Sequence, residues 1–293
     1  MSAASWPTVP RTFLALDPQE HSLERSRVVL LPVPYDATTS YRAGARDGPA
    51  AIVEASRQME DHDTELGYEP SAVGIYTAPE IEPHAGGPEA MAERVYQAVA
   101  WYTGQDKLVG LLGGEHSLSA GAVRAIAEQT QDVSVLVFDA QADLREEYQG
   151  TPRSHASAVR RIADHAPVTL VGVRSMTGGE AELARTRGIP LFPRSREPIT
   201  DVEGIVEGLS ANVYVSFDLD AFDPSLMAAV GTPEPGGLGW WEALTILRAV
   251  AERRRIVGFD VVELAPAEGP EACAYTAAKL VYKIIAYATH DPT

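Results

Sequence analysis

The sequence predicts an α/β fold: a mostly parallel sheet with helices on both faces, in one three-layer domain spanning residues 1–293. Three observations lead there. Short apolar runs rich in β-branched residues recur, apolar on both faces as strands buried in a parallel sheet are. Segments with helical spacing lie between many of them, and that alternation implies a parallel sheet joined by crossover helices. Polar residues gather just after the runs, where open α/β sheets bind their ligands.

In chain order, the predicted strands are Arg27–Tyr35, Leu108–Leu112, Val133–Phe138, Val168–Val173, Ile189–Phe192, Asn212–Phe217 and Ile256–Phe259. The predicted helices are Ala50–Met59 after a Gly48-Pro49 start, Pro88–Trp101, Leu118–Glu128, Trp241–Arg253 and Thr276–Ala288. The last of these sets Leu280, Val281, Ile284, Ile285 and Ala288 on one face. No linker-like segment or internal repeat divides the chain, and residues 1–20 are expected to form an N-terminal arm.

Composition narrows the function classes. With 45% hydrophobic and 22% charged residues, the chain is not of the disordered type. No stretch approaches the ~20 apolar residues of a membrane span. Met1–Pro10 lacks a charged start followed by an apolar core, so no secretory signal is expected. Cys273 is the only cysteine, which excludes an internal disulfide or a cysteine-type zinc cluster and fits a cytoplasmic location. The net charge of −17 disfavours nucleic acid and anionic membranes as partners and suits cationic substrates and metal ions.

Three polar segments carry the candidate chemistry. Gly113-Gly114-Glu115-His116-Ser117 permits a tight turn from which His116 projects. Taken alone, such a histidine is more often a hydrogen-bonded structural residue. In Phe138-Asp139-Ala140-Gln141-Ala142-Asp143, strand alternation would put Asp139, Gln141 and Asp143 on one side. Two carboxylates and an amide near a core are costly to desolvate without a cation, the alternative being a solvated strand end. In Ser216–Pro224, Asp218 and Asp220 share a face, and Asp223, before a proline, suits a turn cap. Together these make a hard, oxygen-rich site suited to Mn²⁺ or Mg²⁺. Four carboxylates exceed the need of one divalent ion, and two ions balance the charge.

At this point the chain resembles the ureohydrolases, the arginase and agmatinase family. GGEHS, DAQAD, SHAS, SFDLDAFDP, GTPEPGG and DVVEL follow in the family's order from Gly113 to Glu263, and Val33–Ile52 is agmatinase-like. The resemblance implies a parallel eight-stranded sheet and two manganese ions per subunit, whose shared hydroxide attacks a guanidinium carbon. By motif match, His116 and Asp143 belong to one ion, Gln141 and Asp220 to the other, and Asp139 and Asp218 bridge. Glu263 matches the carboxylate that holds the guanidinium and His155 the proton-transfer histidine. Read alone, these two would be a strand-end salt bridge and a loop hydrogen bond. Relatives are commonly trimers or hexamers, so a homotrimer or homohexamer is expected.

One departure matters: Gln141 stands where the family has histidine. An amide oxygen is a weaker transition-metal donor than imidazole, so the second ion should bind less tightly. Glu115, where many relatives have Asp, is not a direct ligand by the family pattern. The string from Asp143 to Ala156 is similar to that of agmatinases and of relatives acting on longer polyamine precursors. Urea release from agmatine or N1-aminopropylagmatine is therefore the expected activity. Glu146 and Glu147 are candidate ammonium partners, while Arg145 opposes a cation unless it points away. The alternatives are arginine or another guanidino acid as substrate, and a catalytically weak metal-binding homologue.

Overall fold

The computed structural model describes Trp6 and residues 8–290. Among the described residues, eight strands form one sheet in which every pairing is parallel. In chain order they are β1 (Val28–Val33), β2 (Ile75–Thr77), β3 (Leu108–Gly113), β4 (Val133–Phe138), β5 (Val168–Val171), β6 (Leu191–Phe192), β7 (Asn212–Asp218) and β8 (Arg255–Val262). Their spatial order is β2-β1-β3-β8-β7-β4-β5-β6. The sheet is thus wholly parallel, and seven of its strands coincide with the predicted apolar runs. The edge strand β2 was missed because three residues cannot display a periodicity.

The helices are α1 (Gly48–Ser56), α2 (Pro88–Thr103), α3 (Ser119–Gln129), α4 (Ala158–Ile162), α5 (Gly178–Arg187), α6 (Val202–Glu207), α7 (Trp240–Arg253) and α8 (Ala272–Thr289). Strand residues alternate between two cores. Val29, Leu31 and Val33 of β1 join α2 to α5 in one, while Val28 and Leu30 join α1 and α6 to α8 in the other. A sheet whose two faces are both covered in this way must be apolar on both, which is why its strands read as continuous apolar runs. Helices α4 to α6 escaped prediction. Helix α5 buries only Glu180 and Ala184, so it shows no apolar stripe, and it is set instead by a capping box between Thr177 and Glu180. Within the expected arm, residues 1–5 and 7 lie outside the described residues, and Phe13 is buried against the core. Among the described residues no helix is long and apolar enough to cross a membrane.

The topology places the site. From β3 the chain moves to β4, three places away, and β7 and β8 later fill the gap. Four adjacent strands therefore end at one crevice: β3 before His116, β8 before Glu263, β7 at Asp218 and β4 before Asp139.

Candidate metal centre

The turn after β3 is built by close approach. A side chain at Gly114 would land on the carbonyl of Tyr35, and the Glu115 N–H donates to that carbonyl at 2.8 Å. The chain then enters a short 3₁₀ turn, His116–Leu118, with the imidazole fully buried. His116 Nδ1 lies 3.1 Å from Asp139 Oδ2, 3.3 Å from Asp143 Oδ2 and 3.4 Å from Asp218 Oδ2.

The other ring nitrogen decides the proton. His116 Nε2 is 3.0 Å from Ser216 Oγ, and Ser216 donates its one hydroxyl hydrogen to Asp260 Oδ1 at 2.8 Å. The second Asp260 oxygen accepts from Tyr214 at 2.9 Å. Ser216 can therefore only accept from His116, which puts the ring hydrogen on Nε2 and a lone pair on Nδ1. That lone pair faces three carboxylates. His116 Nδ1 and Asp139 Oδ2 are buried without a hydrogen-bond partner, an arrangement a cation satisfies and a neutral core does not. Ligand atoms of His116, Asp139 and Asp218 all lie within 4.8 Å of one another, so a metal ion fits.

The electrostatics of the cluster agree. Burial would depress the His116 pKa, yet Asp139 and Asp143 beside it hold it well above the ordinary histidine range. Burial, then Asp143 and Asp220, push Asp139 well above the usual carboxylate range; burial with Asp220 and Asp139 does the same to Asp218. Asp220 is raised too, chiefly by burial. Without a cation, protons must neutralise this cluster.

The expected common face of Asp139, Gln141 and Asp143 needs correction. Strand β4 ends at Phe138, and Asp143 has a left-handed backbone, φ 49°. A compact turn, with the Gln141 N–H on Asp139 Oδ1 at 2.6 Å, brings the side chains together instead of the pleat. Gln141 lines a narrow inner cavity with Asp143, Asp218, Asp220, His155 and Glu263, and makes no side-chain hydrogen bond to another described residue. Asp218 caps the turn that follows it, accepting the Asp220 N–H at 2.9 Å. Asp220 in turn accepts the Ala140 N–H and the Thr232 hydroxyl, both at 3.1 Å. Asp223 is a loop clamp: it accepts from Ser225 and from the Gly236 and Gly237 N–H groups, and these bonds pull its pKa down to about 2. Arg174, missed in the sequence, ties the same loops by donating to the carbonyls of Asp220 at 2.8 Å and Glu234 at 2.7 Å.

Glu263 follows β8 in a left-handed conformation, φ 68°, and accepts the His116 N–H at 2.6 Å. Burial, reinforced by the nearby Glu115 charge, raises its pKa well above the usual range. His155 begins a short turn capped by Ser154 and lines the inner cavity and a wider outer one of about 410 Å³. Arg145, Tyr148, Glu180 and Glu234 line that outer space. Glu146 does not: it pairs with Arg160 at 2.5 Å and Arg161 at 3.4 Å, and Glu147 is likewise absent from the lining. The Arg145 Nε lies 4.0 Å from Glu180, with the guanidinium over the Tyr148 ring. Ser216, Tyr214 and Asp260 were also missed; a polar pair inside two apolar runs was the available signal.

Residues 26–286 match the sequence model of the Arginase family. Over 265 residues, covering 89% of this chain and 90% of the relative, the protein is 42% identical to the N(1)-aminopropylagmatine ureohydrolase of Thermus thermophilus. It is 38% identical to the enzyme of that name from Synechocystis sp. over 272 residues, covering 89% and 88% of the two chains. The crystal structure of agmatine ureohydrolase of Thermoplasma volcanium superposes with a TM-score of 0.85 at 29% identity, covering 98% of this chain and 95% of that one.

Proposed function

Since the chain belongs to the arginase family, we propose that it hydrolyses the guanidino group of agmatine or N1-aminopropylagmatine, releasing urea and putrescine or spermidine. One observation carries this most directly. The His116 lone pair and three buried carboxylates converge beside a cavity that also holds Glu263 and His155. We take the resident ions to be two Mn²⁺, which would be held by His116, Asp139, Gln141, Asp143, Asp218 and Asp220: His116 and Asp143 would serve one ion, Gln141 and Asp220 the other, and Asp139 and Asp218 would serve both. When bound, such a pair supplies Lewis acidity and an activated water near neutral pH.

The chain's own residues do the rest. Glu263 is held by the His116 N–H, so its carboxylate has a fixed place from which to pair with a guanidinium. An arriving cation offsets the repulsion from Glu115 that disfavours the Glu263 charge. His155, on the rim shared by both cavities, can move a proton to the departing amine. The substrate tail then lies in the outer cavity, where Glu234 offers a carboxylate to a distal ammonium. Arg145 there favours a second substrate, a guanidino acid, but Glu180 and Tyr148 already engage its charge. We further propose one domain over residues 1–293, assembled as a homotrimer or homohexamer in the cytoplasm.

The test is urea release by the Mn²⁺-supplemented protein across agmatine, N1-aminopropylagmatine, arginine and guanidinobutyrate. Turnover of either decarboxylated substrate well above the two acids supports the assignment. Preference for an acid moves it to the second substrate class. Absence of urea from all four, with metal bound, leaves a metal-binding homologue.

A further inference from the structure

Glu115 is fully buried and takes no part in the metal cluster, yet three donors converge on it. The Thr38 N–H reaches Oε2 at 2.6 Å; the Thr38 hydroxyl, at 2.8 Å, and the Ser117 hydroxyl reach Oε1. The carboxylate bridges from the turn after β3 to the loop after β1, and that loop faces His155.

Counting hydrogens gives the contact a direction. Thr38 has one hydroxyl hydrogen, and Glu115 receives it. The Thr38 oxygen then accepts the His155 backbone N–H at 3.0 Å, and His155 Nδ1 lies 3.4 Å from it. Ser154 Oγ, which accepts the Ala156 N–H, lies 3.3 Å from the same ring nitrogen. A hydrogen on Nδ1 finds an acceptor in both Thr38 and Ser154; a lone pair on Nδ1 would face the lone pairs of Thr38 and could take a hydrogen only from Ser154. The Nε2 atom, 3.3 Å from Ser40 Oγ, is left on the cavity side. We propose that Glu115 is a positioning residue: through Thr38 it holds His155 with its hydrogen on Nδ1 and its lone pair on Nε2, turned toward the bound substrate.

The kinetic part rests on the ureohydrolase assignment, and the tautomer part does not, so the two fail separately. The full chain is labelled with ¹⁵N at its histidine rings and loaded with diamagnetic Mg²⁺. His155 is assigned by the signal lost in His155→Asn. The unsubstituted protein should show the Nδ1–H tautomer at His155. Thr38→Val, which keeps shape and removes the oxygen, should shift it toward Nε2–H. In the Mn²⁺ enzyme it should lower kcat by about tenfold or more, within the range of lost acid–base assistance, with KM and metal content little changed. Thr38→Ser should restore both readouts. A His155 that keeps the Nδ1–H tautomer in Thr38→Val overturns the proposal, whatever the activity. So does a tautomer that changes without loss of kcat in a protein that releases urea, or a Thr38→Ser protein as impaired as Thr38→Val. If no guanidine yields urea, the ureohydrolase assignment fails and the tautomer comparison still decides the link from Thr38 to His155.

Discussion

His116 Nδ1 and Asp139 Oδ2 lie 3.1 Å apart, both buried, and neither hydrogen-bonds the other or any other described residue. Such a pair is unfavourable in a closed protein interior, where an unsatisfied polar group loses about 1–3 kcal/mol of solvation. A divalent ion between them removes the penalty for both. In the proposed two-ion centre Asp139 serves both ions, so Asp139→Asn should abolish urea release and strip metal from both positions. Metal analysis after dialysis is the check: full metal content with full activity would exclude a shared ligand at Asp139.

The chain from His116 through Ser216 to Asp260 sets which ring nitrogen is free for the ion. Ser216→Ala removes the acceptor for Nε2–H and leaves Asp260 short of one donor. A 10- to 100-fold loss of metal affinity is expected on the usual scale for such outer partners. Titration of the metal-stripped variant measures it. Affinity equal to the unsubstituted protein would mean that the three carboxylates alone orient the imidazole.

Glu263→Gln keeps an oxygen for the His116 N–H but no longer opposes a substrate cation. A lost charge-assisted pair is worth on the order of 1.5–3 kcal/mol, so kcat/KM should fall ~10- to 150-fold. Metal content should hold. If the ions leave instead, Glu263 supports the metal centre and not the guanidinium.

Away from the site, Lys283 of α8 donates to Asp63 at 2.9 Å and to Glu65 at 2.5 Å, and Glu65 also takes bonds from Tyr287 and Arg248. Burial opposes the Glu65 charge, but Lys283, Tyr287 and Arg248 outweigh it and bring its pKa from 4.5 to about 2. A folded pKa below the unfolded one stabilises the native state above the unfolded value. That contribution fades as pH falls from about 4.5 toward 2. Glu65→Gln should therefore lower the urea midpoint at pH 7, and the gap to the unsubstituted protein should narrow by pH 3. A gap independent of pH would mean the loss comes from packing and not from charge.

The same physics explains what the sequence revealed. Runs such as Val133–Phe138 are legible because a strand covered on both faces has no polar side to interrupt it. Asp139, Asp143, Asp218 and Asp220 are legible because carboxylates directly after apolar runs have few other uses. Glu115 is not, since its role appears only when the turn that carries it packs against the loop of Thr38, 77 residues earlier in the chain. Arg174 is hidden for a like reason: it contacts backbone carbonyls, and carbonyls leave no mark on a sequence. Asp260 was concealed by its place inside β8, where a lone acid reads as the end of a strand. Its partner Ser216 sits on the neighbouring strand at the matching register position.

Gln141 stands where the family resemblance implies a histidine, and its surroundings sharpen the consequence. Its amide lines the inner cavity beside Asp143, Asp218 and Asp220, and no described residue claims it by hydrogen bond. An amide so placed is available as an oxygen ligand, though a weaker donor than imidazole toward a transition metal. The ion near His116 and Asp143 should therefore bind tightly, and the one near Gln141 and Asp220 weakly. Gln141→His should raise affinity at the weak position by ~10-fold or more, taking losses at outer partners as a lower guide. Urea release should rise with it, most clearly at low Mn²⁺. Calorimetric Mn²⁺ titration of both proteins gives a result independent of turnover. Two steps of unequal affinity should merge toward one another on substitution. Two equally tight steps in the unsubstituted protein, unmoved by the histidine, would show that an amide oxygen suffices in this carboxylate-rich cluster and that the departure at Gln141 carries no weakness.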